Sequence, residues 1–127
     1  MKILIVDDDQ FLLDMYSIKF REREFEVLTA TNGEEAWEKV EKGLNPDIFL
    51  VDLLMPKLDG FGLIEKLRTK GLSAASSIII LSNLGQKEDI DRGLALGVDG
   101  YIIKASATPS EVVTKVIDIA NHKTNHA

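Results

Sequence analysis

The sequence predicts an α/β domain, a doubly wound parallel sheet of five strands covered by helices on both faces. Two observations lead there. Short runs rich in Ile, Val and Leu alternate with stretches whose apolar residues recur at helical spacing. The runs are almost continuously apolar, as strands of a parallel sheet buried on both sides must be. At 127 residues and 45% hydrophobic, the chain suits one ordinary domain.

Lys2 to Val6 is a β-branched run stopped by acids, and reads as the first strand. From Asp9 to Glu22, Leu12, Met15, Tyr16, Ile18 and Phe20 give a broad helical stripe. Phe25 to Ala30 is the second strand. Thr31 or Asn32 caps the next helix, with Glu34 or Glu35 placed for a capping box. That helix carries Ala36, Trp37 and Val40 and stops at Gly43. Asp47 to Val51 is the third strand. Beyond Pro56 and Gly60, Leu63, Ile64 and Leu67 supply a helical face, and Ser77 to Leu81 is the fourth strand. A weaker helix spans Gln86 to Leu96, anchored by Ile90 and Leu94. Gly93 inside it is expected to lower its stability by about 1 kcal/mol relative to alanine. Tyr101 to Ile103 is the fifth strand. Thr108-Pro109-Ser110-Glu111 is a capping box with proline at the first helical position. Val112, Val113, Val116, Ile117 and Ala120 face the core. The domain is expected over residues 1–121, with 122–127 a fraying polar tail or the start of a linker.

Several functions are excluded or disfavoured. Without cysteine there are no disulfides, thiolate metal sites or cysteine nucleophiles. Fifteen basic residues are scattered within a net charge of −6, so direct nucleic-acid binding by this chain is not expected. No apolar run approaches the roughly 20 residues of a membrane span. No export signal is visible either, which makes the cytoplasm the expected location.

The informative polar residues sit where strands end. Asp7, Asp8 and Asp9 follow strand one, Asp52 follows strand three, Ser82 and Asn83 follow strand four, and Lys104 follows strand five. Ligands of open α/β sheets bind at these carboxyl ends. Taken singly, an acid after a strand is often only a helix cap, the role expected of Asp9, and a lone lysine is often a solvated surface group. Four such positions on four strands are much harder to explain that way. If strands one and three are neighbours, Asp7, Asp8 and Asp52 converge and call for a cation, and hard oxygen donors favour Mg²⁺. Lys104 and Ser82 could then meet phosphoryl oxygens, in keeping with a carboxylate nucleophile forming an aspartyl phosphate.

These residues resemble the receiver domains of two-component response regulators, the family of the chemotaxis regulators. The resemblance covers nearly the whole chain. Its matching stretches are Ile3 to Asp9, Val51 to Gly60, Ile79 to Ser82 and Gly97 to Lys104. It implies a flavodoxin-like (βα)5 fold with strand order 2-1-3-4-5. It also implies Asp52 as phosphoacceptor, Asp8 as a direct Mg²⁺ ligand with Asp7 acting through water, and the Leu54 backbone carbonyl completing the set. Lys104 would pair with the phosphoryl group. Ser82 would be the switch hydroxyl, with Tyr101 as the aromatic side chain coupled to it. The implied donor is a phosphohistidine on a sensor histidine kinase or phosphotransfer protein. Output would pass through a downstream protein target or effector domain, or through a phosphorylation-dependent homodimer. Such a chain is no enzyme in the usual sense, catalysing only its own phosphorylation and dephosphorylation.

The sequence departs from the family pattern in three ways. Ala105 stands where a proline usually follows the lysine, so the cis peptide found there in the family is not required. Asn83 stands where a small residue usually follows the switch hydroxyl. Leu54 and Leu84 lie two beyond Asp52 and Ser82, where polar groups can orient a hydrolytic water, and two leucines are expected to prolong the phosphate's life. The weak fourth helix is the expected switch element. The competing reading is a pseudo-receiver, a scaffold that binds proteins without phosphorylation. An aspartate-nucleophile phosphohydrolase of the haloacid-dehalogenase type would want an acid at Leu54. A nucleotide or flavin module would want a glycine-rich phosphate loop after strand one.

Overall fold

The computed structural model describes residues 1–71 and 75–125. Strands β1 (Lys2–Val6), β2 (Glu26–Ala30), β3 (Ile48–Val51), β4 (Ser77–Ser82) and β5 (Gly100–Ile103) alternate with helices. These are α1 (Gln10–Glu22), α2 (Gly33–Glu41), α3 (Gly60–Lys70), α4 (Lys87–Ala95) and α5 (Pro109–Asn125), and a 3₁₀ turn (Lys104–Ser106) precedes α5. All strand pairs are parallel, and the order is β2-β1-β3-β4-β5. The predicted doubly wound (βα)5 architecture and strand order are therefore both present.

Alternation along each strand divides the core into two layers. Leu4, Val6, Phe49, Val51, Ile78 and Ile80 point to the side covered by α2 and α3. Ile3, Ile5, Ile48, Leu50, Ile79 and Leu81 point to the side covered by α1 and α5. Truncating a fully buried member such as Phe49 to alanine should destabilise the domain by about 3–5 kcal/mol.

Local chemistry sets the helix starts. Asn32 caps α2 by accepting from the Glu35 N–H at 2.8 Å, and the Glu35 carboxylate reaches back to the Thr31 N–H at 3.0 Å. Thr108 and Glu111 make the reciprocal pair at α5, at 3.0 and 3.2 Å.

Three helices differ from expectation. On α1 the buried stripe is Leu13, Tyr16, Ser17 and Phe20, while Ile18 is exposed. A crowded apolar sequence offers more than one helical stripe, and the strands select one. On α4 Leu94 is exposed and Gly93 is the sole buried residue. A Cβ there would lie 2.9 Å from the Ile80 Cδ1 and 3.4 Å from the Tyr101 ring, so the glycine lets α4 approach the sheet. The C-terminus of α4 is held from α3, where Arg68 donates to the Leu96 and Gly97 carbonyls at 3.1 and 2.6 Å. Finally, α5 runs past Asn121. It continues to Asn125, and Lys123 donates to the Ser76 carbonyl at 2.6 Å and to Asp99 at 3.2 Å. Residues 126–127 of the expected tail lie outside the described residues.

Candidate functional site

Strands β1 and β3 are neighbours in register, with Val6 opposite Val51, so the residues following them emerge side by side. The Asp52 N–H donates to the Val6 carbonyl at 2.9 Å, continuing the ladder one step into the site. One carboxylate oxygen from each of Asp7, Asp8 and Asp52 lies within 4.8 Å of the others. Asp7 is 1% exposed and Asp52 7%, while Asp8 is open to solvent. Gly60, at the start of α3, is forced by close approach, since a Cβ would stand 2.3 Å from the Asp52 carbonyl oxygen.

Lys104 enters from the end of β5 with its side chain 10% exposed. Its Nζ lies 2.7 Å from Asp7 Oδ2 and 3.0 Å from Asp52 Oδ2, bridging two of the three acids. Burial raises the Asp7 carboxyl above its ordinary pKa, while the bond from Lys104 and the Asp9 N–H at 2.9 Å pull it partway back. Burial acts on Lys104 in the opposite sense, but the bonds to Asp7 and Asp52 outweigh it, leaving the ammonium above its ordinary value. Asp9 caps α1, accepting from the Leu12 N–H at 3.2 Å. This is the bland role expected for it.

Ser82 is fully buried at the end of β4, and its hydroxyl accepts from the Leu84 N–H at 3.3 Å. Tyr101 donates its hydroxyl to the Leu84 carbonyl. The same residue of the β4–α4 connection is thus held by both switch candidates. This bond to the connection after Ser82 gives Tyr101 a more particular place than that of an ordinary strand aromatic. Leu54 is 59% exposed, whereas Leu84 packs against the core. The two leucines therefore occupy different environments. No cis peptide occurs among the described residues, so the Lys104–Ala105 bond is trans.

Sequence reasoning flagged Asn83 and Ala105 as separate departures and missed that they meet. The Ala105 N–H donates to Asn83 Oδ1 at 2.9 Å. Parallel pairing of β4 with β5 brings together residues 22 apart in sequence. The available signal was that a residue without a proline ring retains an N–H, beside a side chain able to accept from it.

Comparison with known proteins agrees with this geometry. The family described as "Response regulator receiver domain" matches residues 3–117. A probable transcriptional regulator ycf27 of Pyropia yezoensis is 36% identical, aligned over 91% of this chain and 45% of its own length. The alkaline phosphatase synthesis transcriptional regulatory protein PhoP of Bacillus subtilis is 35% identical over 91% of this chain and 46% of its own. The chain thus spans under half the length of these relatives. Among solved structures, a CheY-like receiver domain protein from Methanospirillum hungatei superposes with a TM-score of 0.88 at 26% identity, covering 99% of this chain and 98% of that one. Fold, strand-end residues and family match coincide: the chain belongs to the response regulator receiver domains of two-component systems.

Proposed function

We propose that this receiver accepts a phosphoryl group on Asp52, from a phosphohistidine of a sensor histidine kinase or phosphotransfer protein, in a Mg²⁺-dependent reaction. The observation that carries the reading is the meeting of Asp7, Asp8, Asp52 and Lys104 at the carboxyl end of the sheet. A carboxylate oxygen of Asp52 bonds to phosphorus as the donor's phosphorus–nitrogen bond breaks. The electron pair of that bond leaves with the imidazole, which takes up a proton. Lys104, already against Asp52, is placed to balance charge on a phosphoryl oxygen. Later hydrolysis of the acyl phosphate restores the carboxylate, so the chain acts on itself rather than turning over a separate substrate.

The donor set fits Mg²⁺, since three carboxylates against one ammonium leave a formal charge of −2. Asp7, Asp8, Asp52 and the Leu54 carbonyl would hold the ion. When bound it would supply charge neutralisation to the transferring phosphoryl group.

The switch follows from the bonds to Leu84. A phosphoryl oxygen beside Ser82 would accept the hydroxyl hydrogen, while the Leu84 N–H donates to the same hydroxyl oxygen, so drawing the hydroxyl toward the phosphate pulls on the connection that Tyr101 also holds. The output face is α4, β5 and α5, where an open cavity of about 390 Å³ is lined by Tyr101, Ile103, Lys115, Asp118 and Ile119. It would take a downstream target, an effector domain or a second copy. With net charge −6 and no helix among the described residues long and apolar enough to cross a membrane, neither nucleic acid nor lipid is the expected contact, and the cytoplasm is the proposed setting.

The test is phosphoramidate with and without Mg²⁺, followed by intact mass, with Asp52→Asn as control. A Mg²⁺-dependent adduct lost in the control supports the reading. Absence of any adduct, from phosphoramidate or from a phosphorylated kinase, would leave a scaffold-type pseudo-receiver.

A further inference from the structure

We infer that Asn83 is a positioning residue for Lys104, acting through the Ala105 N–H. This rests on the phosphoacceptor reading and adds a residue to it. Backbone pairing of β4 with β5 ends at the rung Ser82–Ile103. One residue further along each strand, the Asn83 side chain supplies another link, accepting from Ala105 at 2.9 Å. Lys104 lies between the two. Its peptide is held by the ladder on one side and by the Asn83 amide on the other, where the chain turns into the 3₁₀ segment.

Holding the backbone matters because lysine is a long, flexible cation. Where its Cα sits decides whether Nζ can lie within 3.0 Å of both Asp7 and Asp52 at once. At the end of the turn, the Ala107 N–H reaches the Lys104 carbonyl at a long 3.4 Å. The Asn83 link is shorter, and it ties the turn to the neighbouring strand. It also joins the residue following Ser82 to the residue following Lys104, so the two groups that meet a phosphoryl oxygen are held at a fixed separation. The departures at 83 and 105 thus form a matched pair. Proline at 105 would remove the donor, and it would disfavour the helical conformation of Lys104 that opens the turn.

The test compares wild type with Asn83→Ala, with a backbone ester at the Lys104–Ala105 linkage that deletes the N–H, and with both together. In Asn83→Ala the Ala105 amide should exchange at least about 10-fold faster. NMR relaxation should show the Lys104 Cε methylene more mobile. Phosphorylation by phosphoramidate in Mg²⁺ should slow by about 10-fold, because a misplaced charge-stabilising group acts on the reacting atoms. Mg²⁺ affinity should not weaken, since the acids are untouched. The ester should slow the reaction similarly, and the combined change should be no slower than the worse single one. Effects that multiply, or an Asn83→Ala rate within twofold of wild type, would overturn the assignment. Should wild type itself take no phosphoryl group, the phosphoacceptor reading fails. Ala105 exchange and Lys104 mobility, which need no donor, still decide the role of Asn83.

Discussion

Tyr101 donates its phenolic hydrogen to the backbone carbonyl of Leu84, bonding β5 to the connection between β4 and α4. The Leu84 N–H is meanwhile given to Ser82. Tyr101→Phe keeps the ring beside Gly93 and deletes only the hydroxyl. A part-buried neutral hydrogen bond is worth about 1 kcal/mol, so a small drop in Tm is expected. Amide exchange should quicken at residues 84–87, while phosphorylation of Asp52 stays within about twofold, because Tyr101 does not touch the reacting atoms. Unchanged exchange in that segment would show that the hydroxyl does not hold it.

Gly93 presents opposing effects. Helix propensity favours alanine by about 1 kcal/mol, but a Cβ would meet Ile80 Cδ1 at 2.9 Å and the Tyr101 ring at 3.4 Å. Overpacking of a close-packed site typically destabilises by about 1–3 kcal/mol, so Gly93→Ala should lower stability. Ile80→Val removes the obstructing Cδ1. In that background Gly93→Ala should be close to neutral or stabilising, and denaturant melts of the four proteins would reveal the coupling. A simple stabilisation by Gly93→Ala in wild type would mean that α4 is not held this close to the sheet.

Lys104 bridges Asp7 and Asp52 from a largely buried position. Lys104→Met should leave the acids without their cation and destabilise the Mg²⁺-free domain by about 3 kcal/mol. Adding Mg²⁺ should then raise Tm more in the variant than in wild type, because the ion replaces charge that the lysine otherwise supplies. Equal increments in the two proteins would contradict this account of the cluster.

Leu54 is exposed beside the site, while Leu84 packs against the core. The proposed protection of the acyl phosphate therefore falls mainly on Leu54. Leu54→Asn should shorten the phosphate lifetime by roughly 10-fold, by introducing a group that can orient water. Leu84→Asn should chiefly lower stability. Decay of the radiolabelled acyl phosphate, read beside thermal melts, separates the two effects, and an unaltered lifetime in Leu54→Asn would remove it as a shield.

The site was legible because its members each end a strand. The hydrophobic runs locate the strand ends, and a parallel sheet gathers those ends at one edge, so Asp7, Asp52 and Lys104 could be placed together without coordinates. What stayed hidden depends on register and on packing between helices. The Asn83–Ala105 bond follows from the Ser82–Ile103 pairing. Gly93 looked like a weak point because propensity is local, whereas the approach of Tyr101 and Ile80 is tertiary. Ile18 on α1 and Leu94 on α4 have the right chemistry for a core, yet strand geometry leaves both outside it.

Asp7 gives a pH test of definite sign. Burial holds its folded-state pKa above the ordinary 3.8, so the native state binds this proton more tightly than the unfolded chain does. The ionised carboxylate therefore destabilises the Mg²⁺-free fold at neutral pH, and Asp7→Asn should raise Tm there. As pH falls through the raised folded value, wild type takes up the proton and recovers the deficit. The advantage of Asp7→Asn should shrink through that window and level off below 3.8, where both states are protonated. Mg²⁺ should reverse the order at neutral pH, because it stabilises wild type and meets one negative charge fewer in the variant. Melts of the two proteins across pH, with and without Mg²⁺, read all three. An advantage that grows toward acid would show instead that the bond from Lys104 dominates burial at Asp7.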